Sequence, residues 1–161
     1  MKNSKFFKAK LILALAFVAS LFFTGCQQNA DTGTINGTWV ASEYETYIVN
    51  TEEKTFSNLY YDGKNLEISY TDDSCTVGYL YFIYIKAYMV SESGDWSYSE
   101  SAPDVGKWYA VSFKDLTSNS VKISGAYKTN GKTSTETLEE AKTEFTVENG
   151  YFAWYSECVK Q

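Results

Sequence analysis

Apolar and polar residues alternate along most of the chain after residue 36, in short segments separated by Gly, Asn, Asp and Ser. In one segment Leu66, Ile68 and Tyr70 alternate with two polar residues, so one face of this strand is expected to be wet. Asp62-Gly63 and Asn130-Gly131 have the composition of hairpin turns. The pattern predicts eight to ten antiparallel strands in hairpin order, with one short helix near residues 138–143.

The most apolar segment runs from Cys75 to Val90 and is apolar on both faces of a strand. Because 16 residues exceed a typical strand of about 5 to 6, we expect either one long bent strand or two strands that meet near Gly78 or Lys86. Other parts of the chain must therefore pack against both faces of this segment. The fold class is therefore all-β, an antiparallel up-and-down barrel of about eight strands or a β-sandwich, in a single domain over residues 36–161.

The composition supports this fold class and excludes one class of partner. The chain has 14 tyrosines and four tryptophans, which fit pleated, half-buried surfaces. After residue 25, ten lysines face 20 acidic residues, a net charge of −10, and arginine is absent. We therefore expect no nucleic-acid partner, since no basic patch is present to attract phosphate.

The first 25 residues form a targeting segment rather than part of the domain. Four lysines and no acid precede an apolar run from Leu11 to Phe23. This run of 13 residues is shorter than the roughly 20 that a membrane-spanning helix needs. The pattern predicts a secretory signal helix over residues 1–25 that is cleaved from the mature protein.

The residues Phe23-Thr24-Gly25-Cys26 resemble the lipobox of bacterial lipoproteins. The resemblance implies that Cys26 receives diacylglycerol and acyl chains such as palmitate, and becomes the new N-terminus. Residues 26–35 then form a flexible tether, and the membrane is a partner through the lipid. Gln27 follows the cysteine, where Asp would signal inner-membrane retention, so we expect a lipid-anchored protein of the cell envelope, at the outer membrane.

Assigning Cys26 to lipid leaves Cys75 and Cys158 as a candidate disulfide in an oxidising compartment. The alternative is that each is a free thiol buried in a strand.

The tripeptide Gly37-Thr38-Trp39 resembles the Gly-x-Trp motif of lipocalins, in which the tryptophan closes the base of an eight-stranded barrel. The resemblance implies an interior cup for a small apolar or amphipathic ligand. In lipocalins an arginine from the last strand packs over this tryptophan. Here Lys160 or Lys142 would have to replace it, because the chain has no arginine.

The sequence contains few of the residues and motifs that catalysis or metal binding requires. Histidine is absent, which removes imidazole-based triads and the common zinc and copper sites. Glu43 and Glu45 alternate on one strand, and Asp72-Asp73 is an acidic pair, but neither has the context of a known glycosidase or calcium motif. We therefore expect a protein that is not an enzyme and has no cofactor and no metal.

Five aromatic residues are candidate ligand or partner contacts: Trp39, Tyr79, Tyr81, Trp96 and Tyr98. The last two occupy a polar segment over residues 91–106 that is predicted to be a loop, where burial is not automatic. The sequence thus predicts a non-enzymatic ligand-binding domain. The alternative is an adhesion or protein-interaction module that acts through its loops.

Overall fold

A computed structural model describes residues 33–91 and 93–161 of the chain. The signal segment, Cys26 and most of the tether lie outside the described residues. The described part contains one short helix, α1 (Leu138–Glu144), and nine strands: β1 (Gly37–Ser42), β2 (Glu45–Asn50), β3 (Thr55–Ser57), β4 (Tyr61–Tyr70), β5 (Gly78–Val90), β6 (Trp96–Ser99), β7 (Trp108–Lys114), β8 (Ser120–Gly125) and β9 (Ser156–Lys160).

Eight of the strands close into an antiparallel barrel in the order β1-β2-β3-β4-β5-β7-β8-β9. The ring closes where β9 returns to β1, with Trp39 opposite Lys160 and Val40 opposite Val159. Strand β6 is an addition that pairs with the second half of β5. The up-and-down barrel predicted from the sequence is confirmed, and the sandwich alternative is wrong.

Strand β5 is one long strand of 13 residues. Its pairing with β4 is irregular near Lys86, one of the two positions at which the sequence predicts a break. Tyr84 lies opposite Gly63, but Lys86 lies opposite Asp62, so Ile85 is an extra residue that forms a bulge. The first half of β5 pairs with β7 and the second half with β6. The β5–β6 hairpin therefore extends past the ring of eight strands.

Aromatic rings fill the barrel interior. Phe56 and Phe82 stack with centroids 4.7 Å apart, and Tyr84 stacks on Tyr109 at 4.9 Å. Gly63 makes room for this arrangement, since a Cβ at that position would lie 2.2 Å from Cδ2 of Phe82. The middle of the barrel is thus a packed core rather than an empty channel.

We call the end of the barrel at which β1 begins the base, and the opposite end the mouth. At the base, Trp39 is fully buried and its Nε1 donates a hydrogen bond to the carbonyl of Ile35 at 2.7 Å. Lys160 Nζ lies 5.0 Å from the centroid of the Trp39 ring, and its distance to the Thr34 carbonyl is 3.5 Å. Of the two lysines considered from the sequence, the one that packs over the Trp39 ring is thus Lys160 of the last strand.

The outer face of β5 and β7 is covered by α1 and by the segment that precedes β9. Helix α1 packs against both strands, with Ala141 fully buried. Below it, Tyr79 contacts Phe152 at 5.5 Å between ring centroids, and the hydroxyls of Ser112 and Tyr155 are 2.9 Å apart. This cover explains why β5 is apolar on both faces.

One predicted strand and one predicted turn are wrong in the first half of the domain. The sequence predicts one long strand from residue 36 to about residue 50, but this segment is a hairpin, with Ser42 opposite Glu45 across a two-residue turn. Asp62-Gly63 lies inside β4, and the turn before it is formed by Asn58, whose Oδ1 accepts hydrogen bonds from the amides of Tyr60 and Tyr61. An Asn side chain can make such a turn without Gly, and Gly63 is needed instead for its contact with Phe82.

In the second half of the domain, three further segments differ from the sequence prediction, whereas the predicted short helix is confirmed. Residues 91–106 contain strand β6. The sequence also predicts strands over residues 133–137 and 144–147. The first segment forms only an isolated bridge between Thr135 and Trp108, and the second belongs to the end of α1 and the turn after it. Thr137 caps α1 by accepting a hydrogen bond from the amide of Glu140 at 3.2 Å.

Candidate functional site

A cavity of about 240 Å³ opens at the barrel mouth and is lined mainly by tyrosines. Its walls are formed by Tyr60, Tyr61, Tyr84, Ala87, Tyr88, Asp104, Tyr109, Ala126, Tyr127, Lys128, Lys132 and Thr133. We call it the mouth cavity.

The floor of the mouth cavity is built from three tyrosines at strand ends, of which Tyr84 and Tyr109 are buried and Tyr61 is half-buried. Tyr61 begins β4, Tyr84 lies just before the bulge of β5, and Tyr109 is the second residue of β7. The Tyr61 and Tyr109 rings meet edge to face at 5.2 Å, and Tyr109 Oη donates a hydrogen bond to the Ala126 carbonyl at 2.8 Å. Gly125 leaves space for both hydroxyls, since a Cβ there would lie 3.0 Å from Tyr109 Oη and 3.1 Å from Tyr61 Oη.

Burial keeps these hydroxyls protonated. It raises the pKa of Tyr61 to about 12, and it raises the pKa values of Tyr84 and Tyr109 well above their usual range. The charges of neighbouring groups act in the same direction on Tyr84 and Tyr109. The floor of the mouth cavity is thus neutral, and it offers ring surface and hydroxyl groups rather than a charge.

Three charged residues line the wall of the mouth cavity, and each has a protein partner. Asp104 accepts hydrogen bonds from the hydroxyls of Ser134 at 2.5 Å and Thr133 at 3.2 Å. Lys132 Nζ lies 3.8 Å from a carboxylate oxygen of Glu144, and Lys128 Nζ lies 5.6 Å from the centroid of a tyrosine ring. This arrangement suits a small ligand with an apolar body and one polar end.

Of the acidic residues considered from the sequence, Glu45 and Asp72 have structural partners. Glu45 accepts hydrogen bonds from the hydroxyls of Tyr47 and, at 2.6 Å, Ser156, whereas Glu43 is exposed in the turn before it. Burial acts to raise the pKa of Asp72, but hydrogen bonds from Thr76 and the Val77 amide outweigh it, and the pKa is lowered. Within residues 33–91 and 93–161, no cluster of three or more Cys, Asp or Glu side chains could hold a metal ion.

The five aromatic residues singled out from the sequence do not form one site but lie in three separate places. Trp39 is fully buried at the base, far from the mouth. Tyr79 and Tyr81 lie on the outer face of β5, and the exposed fraction of Tyr81 is only 3%. Trp96 and Tyr98 lie on the projecting strand β6, where Trp96 is 70% exposed. Trp39 therefore packs inside the base, where its indole N–H is bonded to the chain itself.

The tyrosines of the mouth cavity are not among the residues that the sequence singles out. Alternation along β5 puts Tyr84 on the same strand face as Leu80 and Phe82, but nothing in the pattern shows which residues of that face lie at the open end. The positions of Tyr61 and Tyr109, at the first residue of β4 and the second of β7, become informative only once the strand order is known.

The predicted pairing of Cys75 with Cys158 is wrong. Cys158 is a free, buried thiol on β9, and its Sγ contacts the Ser156 carbonyl at 3.5 Å. Burial raises the pKa of this thiol to about 12. Cys75 lies in the turn after β4 and is disulfide-bonded. The third cysteine, Cys26, lies outside the described residues, so its predicted lipidation does too.

No protein-family model, curated protein or solved structure matches the chain. In the described part of the chain, no helix has the length and apolar character needed to cross a membrane.

Proposed function

We propose that this protein is a lipid-anchored envelope protein whose barrel binds a small apolar or amphipathic ligand in the mouth cavity, without catalysis. The observation that carries the proposal is the tyrosine-lined opening at one end of a closed barrel whose other end is plugged by Trp39. A volume of about 240 Å³ lies just below the range of about 300–1,000 Å³ typical of sites for drug-sized ligands. The ligand is therefore small, and part of it extends over the rim.

The residues of the mouth cavity define what such a ligand offers. Tyrosine faces favour flat apolar or aromatic groups. The buried hydroxyls of Tyr61 and Tyr84 can orient a single polar group, since a polar atom left without a partner there would cost about 1–3 kcal/mol. Two lysines face one aspartate on the wall, so an acidic end is better tolerated there than elsewhere on this acidic chain.

Native mass spectrometry of the protein purified from its own host tests this function. We expect a retained small molecule, and a probe such as anilinonaphthalene sulfonate should compete with it. Tyr127→Ala, at the exposed rim of the cavity, should weaken probe binding about 3- to 10-fold. Tyr44→Ala is the matched control, because Tyr44 is equally exposed but lies outside the cavity. A clean mass together with equal effects of both substitutions would contradict ligand binding at the mouth.

The anchor and the mouth lie at opposite ends of the barrel in this proposal. Gly33 packs against the backbone of Thr117 and Ser118, in the turn between β7 and β8 at the base. Residues 26–32 span at most about 25 Å when fully extended. A lipid on Cys26 would thus hold the base next to the membrane and leave the mouth open to the aqueous side.

Mass analysis of Cys26 tests the anchor. The lipidation proposal expects a diacylglyceryl thioether on Cys26, and a Cys26→Ser variant that leaves the membrane fraction. One sulfur cannot hold both a thioether and a disulfide. Peptide mapping that finds Cys26 joined to Cys75, the bonded cysteine of the domain, would therefore rule out lipid on that sulfur.

A second candidate function is docking of a partner protein, and the 70% exposure of Trp96 favours it. Replacing Trp96 and Tyr98 by Ala should then weaken partner binding and leave the thermal midpoint unchanged. A large loss of stability would instead show that the two rings belong to the core.

A further inference from the structure

Strand β6 is the end of the nine-stranded sheet. It pairs with β5 through four residue pairs, from Ala87–Ser99 to Val90–Trp96, and the described residues place no strand on its other side. Natural proteins usually protect such an edge with Lys, Pro or a bulge. The sequence of β6, Trp-Ser-Tyr-Ser, has none of these.

The hydrogen bonds of the hairpin show which backbone groups face the open side. In an antiparallel pair, alternate residues point their N–H and C=O groups away from the partner strand. The amide of Ser91 donates to the carbonyl of Asp95 across the hairpin, whereas the amide of Tyr88 donates to the carbonyl of Tyr60 on the far side of β5. The backbone groups of Trp96 and Tyr98 therefore point away from β5, toward the open edge.

The same two residues carry aromatic side chains beside that edge. Tyr98 and Trp96 both contact Tyr88, with ring centroids 5.7 Å and 6.3 Å apart. Lys86 Nζ lies 4.3 Å from the Tyr98 centroid and covers that ring. Trp96 stays open to solvent, so a strand added at this edge would gain both backbone hydrogen bonds and an aromatic surface.

The charges around β6 indicate what kind of segment could pair with its open edge. Asp95 and Glu100 are exposed at its two ends, and Asp62 interacts with the hydroxyl of Tyr98. In antiparallel self-pairing centred on Ser97, the acids at both ends of one copy would approach those of the other, which is unfavourable. We propose that the edge of β6 binds an extended segment of a partner protein that carries Lys or Arg, which adds to the sheet as a strand.

Peptide display on the full mature chain tests this proposal. Selection from random ten-residue peptides should enrich extended sequences with Lys or Arg at alternate positions. Tyr98→Pro removes the outward amide, which an edge strand tolerates because that amide is not bonded to β5. The enriched peptide should lose at least about 10-fold in affinity with Tyr98→Pro and about 2- to 4-fold with Tyr98→Ala, which removes the ring alone. Tyr44→Ala, with a ring that is also exposed, should have no effect.

Several results would overturn strand addition at β6. These are the absence of any enriched peptide, equal losses with Tyr98→Pro and Tyr98→Ala, or a dimer in sedimentation that Tyr98→Pro dissociates. Binding of a neutral glycan that needs Trp96, without peptide binding, would assign the aromatic surface to sugars. Near-UV circular dichroism checks that the variants fold. Because Tyr98 does not line the mouth cavity, Tyr127→Ala distinguishes failure of the cavity from failure of the edge.

Discussion

Gly63 lies against the ring of Phe82, and replacing it by Ala tests whether the barrel interior is filled. The added Cβ would lie 2.2 Å from Cδ2, 2.7 Å from Cγ and 3.0 Å from Cε2 of Phe82. Ordinary contact begins near 3.4 Å, so the ring would have to move by more than about 1 Å. Phe82 is fully buried and stacked on Phe56, and three tyrosines surround it. The ring therefore has no free space in which to move.

The expected cost follows from overpacking of a buried core. Extra methyl groups in a packed interior destabilise by about 1–3 kcal/mol. The loss of backbone freedom in the unfolded chain offsets about 0.4–1 kcal/mol of this cost. For a domain of this size, about 1–2 kcal/mol of net loss corresponds to a fall of about 3–10 °C in the thermal midpoint.

Thermal and urea unfolding of Gly63→Ala, Phe82→Leu and the double variant measure this effect. Phe82→Leu should destabilise alone but should regain part of the loss in the Gly63→Ala background, since the smaller side chain vacates the space. Gly106→Ala is the control, because its φ of +89° makes Ala strained although no atom lies within 4 Å of the new Cβ. Its loss should not be rescued by Phe82→Leu. A Gly63→Ala variant as stable as the parent would refute a packed interior.

Three further predictions concern the base, the helix and the buried hydroxyls. Lys160→Met should destabilise by about 0.5–1 kcal/mol through loss of the contact with Trp39, whereas Lys142→Met, at an exposed helix position, should be neutral in urea unfolding. Thr137→Ala removes the cap of α1 and should cost about 1 kcal/mol in the same assay; a neutral result would mean that α1 contributes little. Because the folded-state pKa of Tyr61 is raised to about 12 from an unfolded value near 10, its contribution to stability is complete below pH 10 and is lost between pH 10 and 12. Urea midpoints that rise over this pH range would contradict the burial of that hydroxyl.

The class of the fold could be predicted from the sequence more reliably than the positions of its turns. Period-two alternation and the long apolar segment required strands with covered faces, and only the closure of β9 on β1 decided between barrel and sandwich. Turn composition was misleading at Asp62-Gly63, because Gly63 serves a ring contact between distant strands that a local pattern cannot show. The Cys75–Cys158 pair failed for a related reason. Counting cysteines ignores that Cys158 is buried on β9 and Cys75 is in a turn.

The candidate site depended still more on long-range geometry, as two tryptophans illustrate. Trp39 follows Gly37-Thr38 and Trp96 lies between Asp95 and Ser97, and both are candidate binding residues in the sequence. Trp39 is the third residue of β1 at the base, where its indole N–H donates to the Ile35 carbonyl and Lys160 lies over its ring. Trp96 is carried beyond the barrel, because the second half of β5 extends past the ring and pairs with β6, beside which residues 33–91 and 93–161 place no further strand. Local sequence does not encode that difference: the chain encloses the Trp39 ring, whereas the Trp96 ring touches Tyr88 and is still 70% exposed.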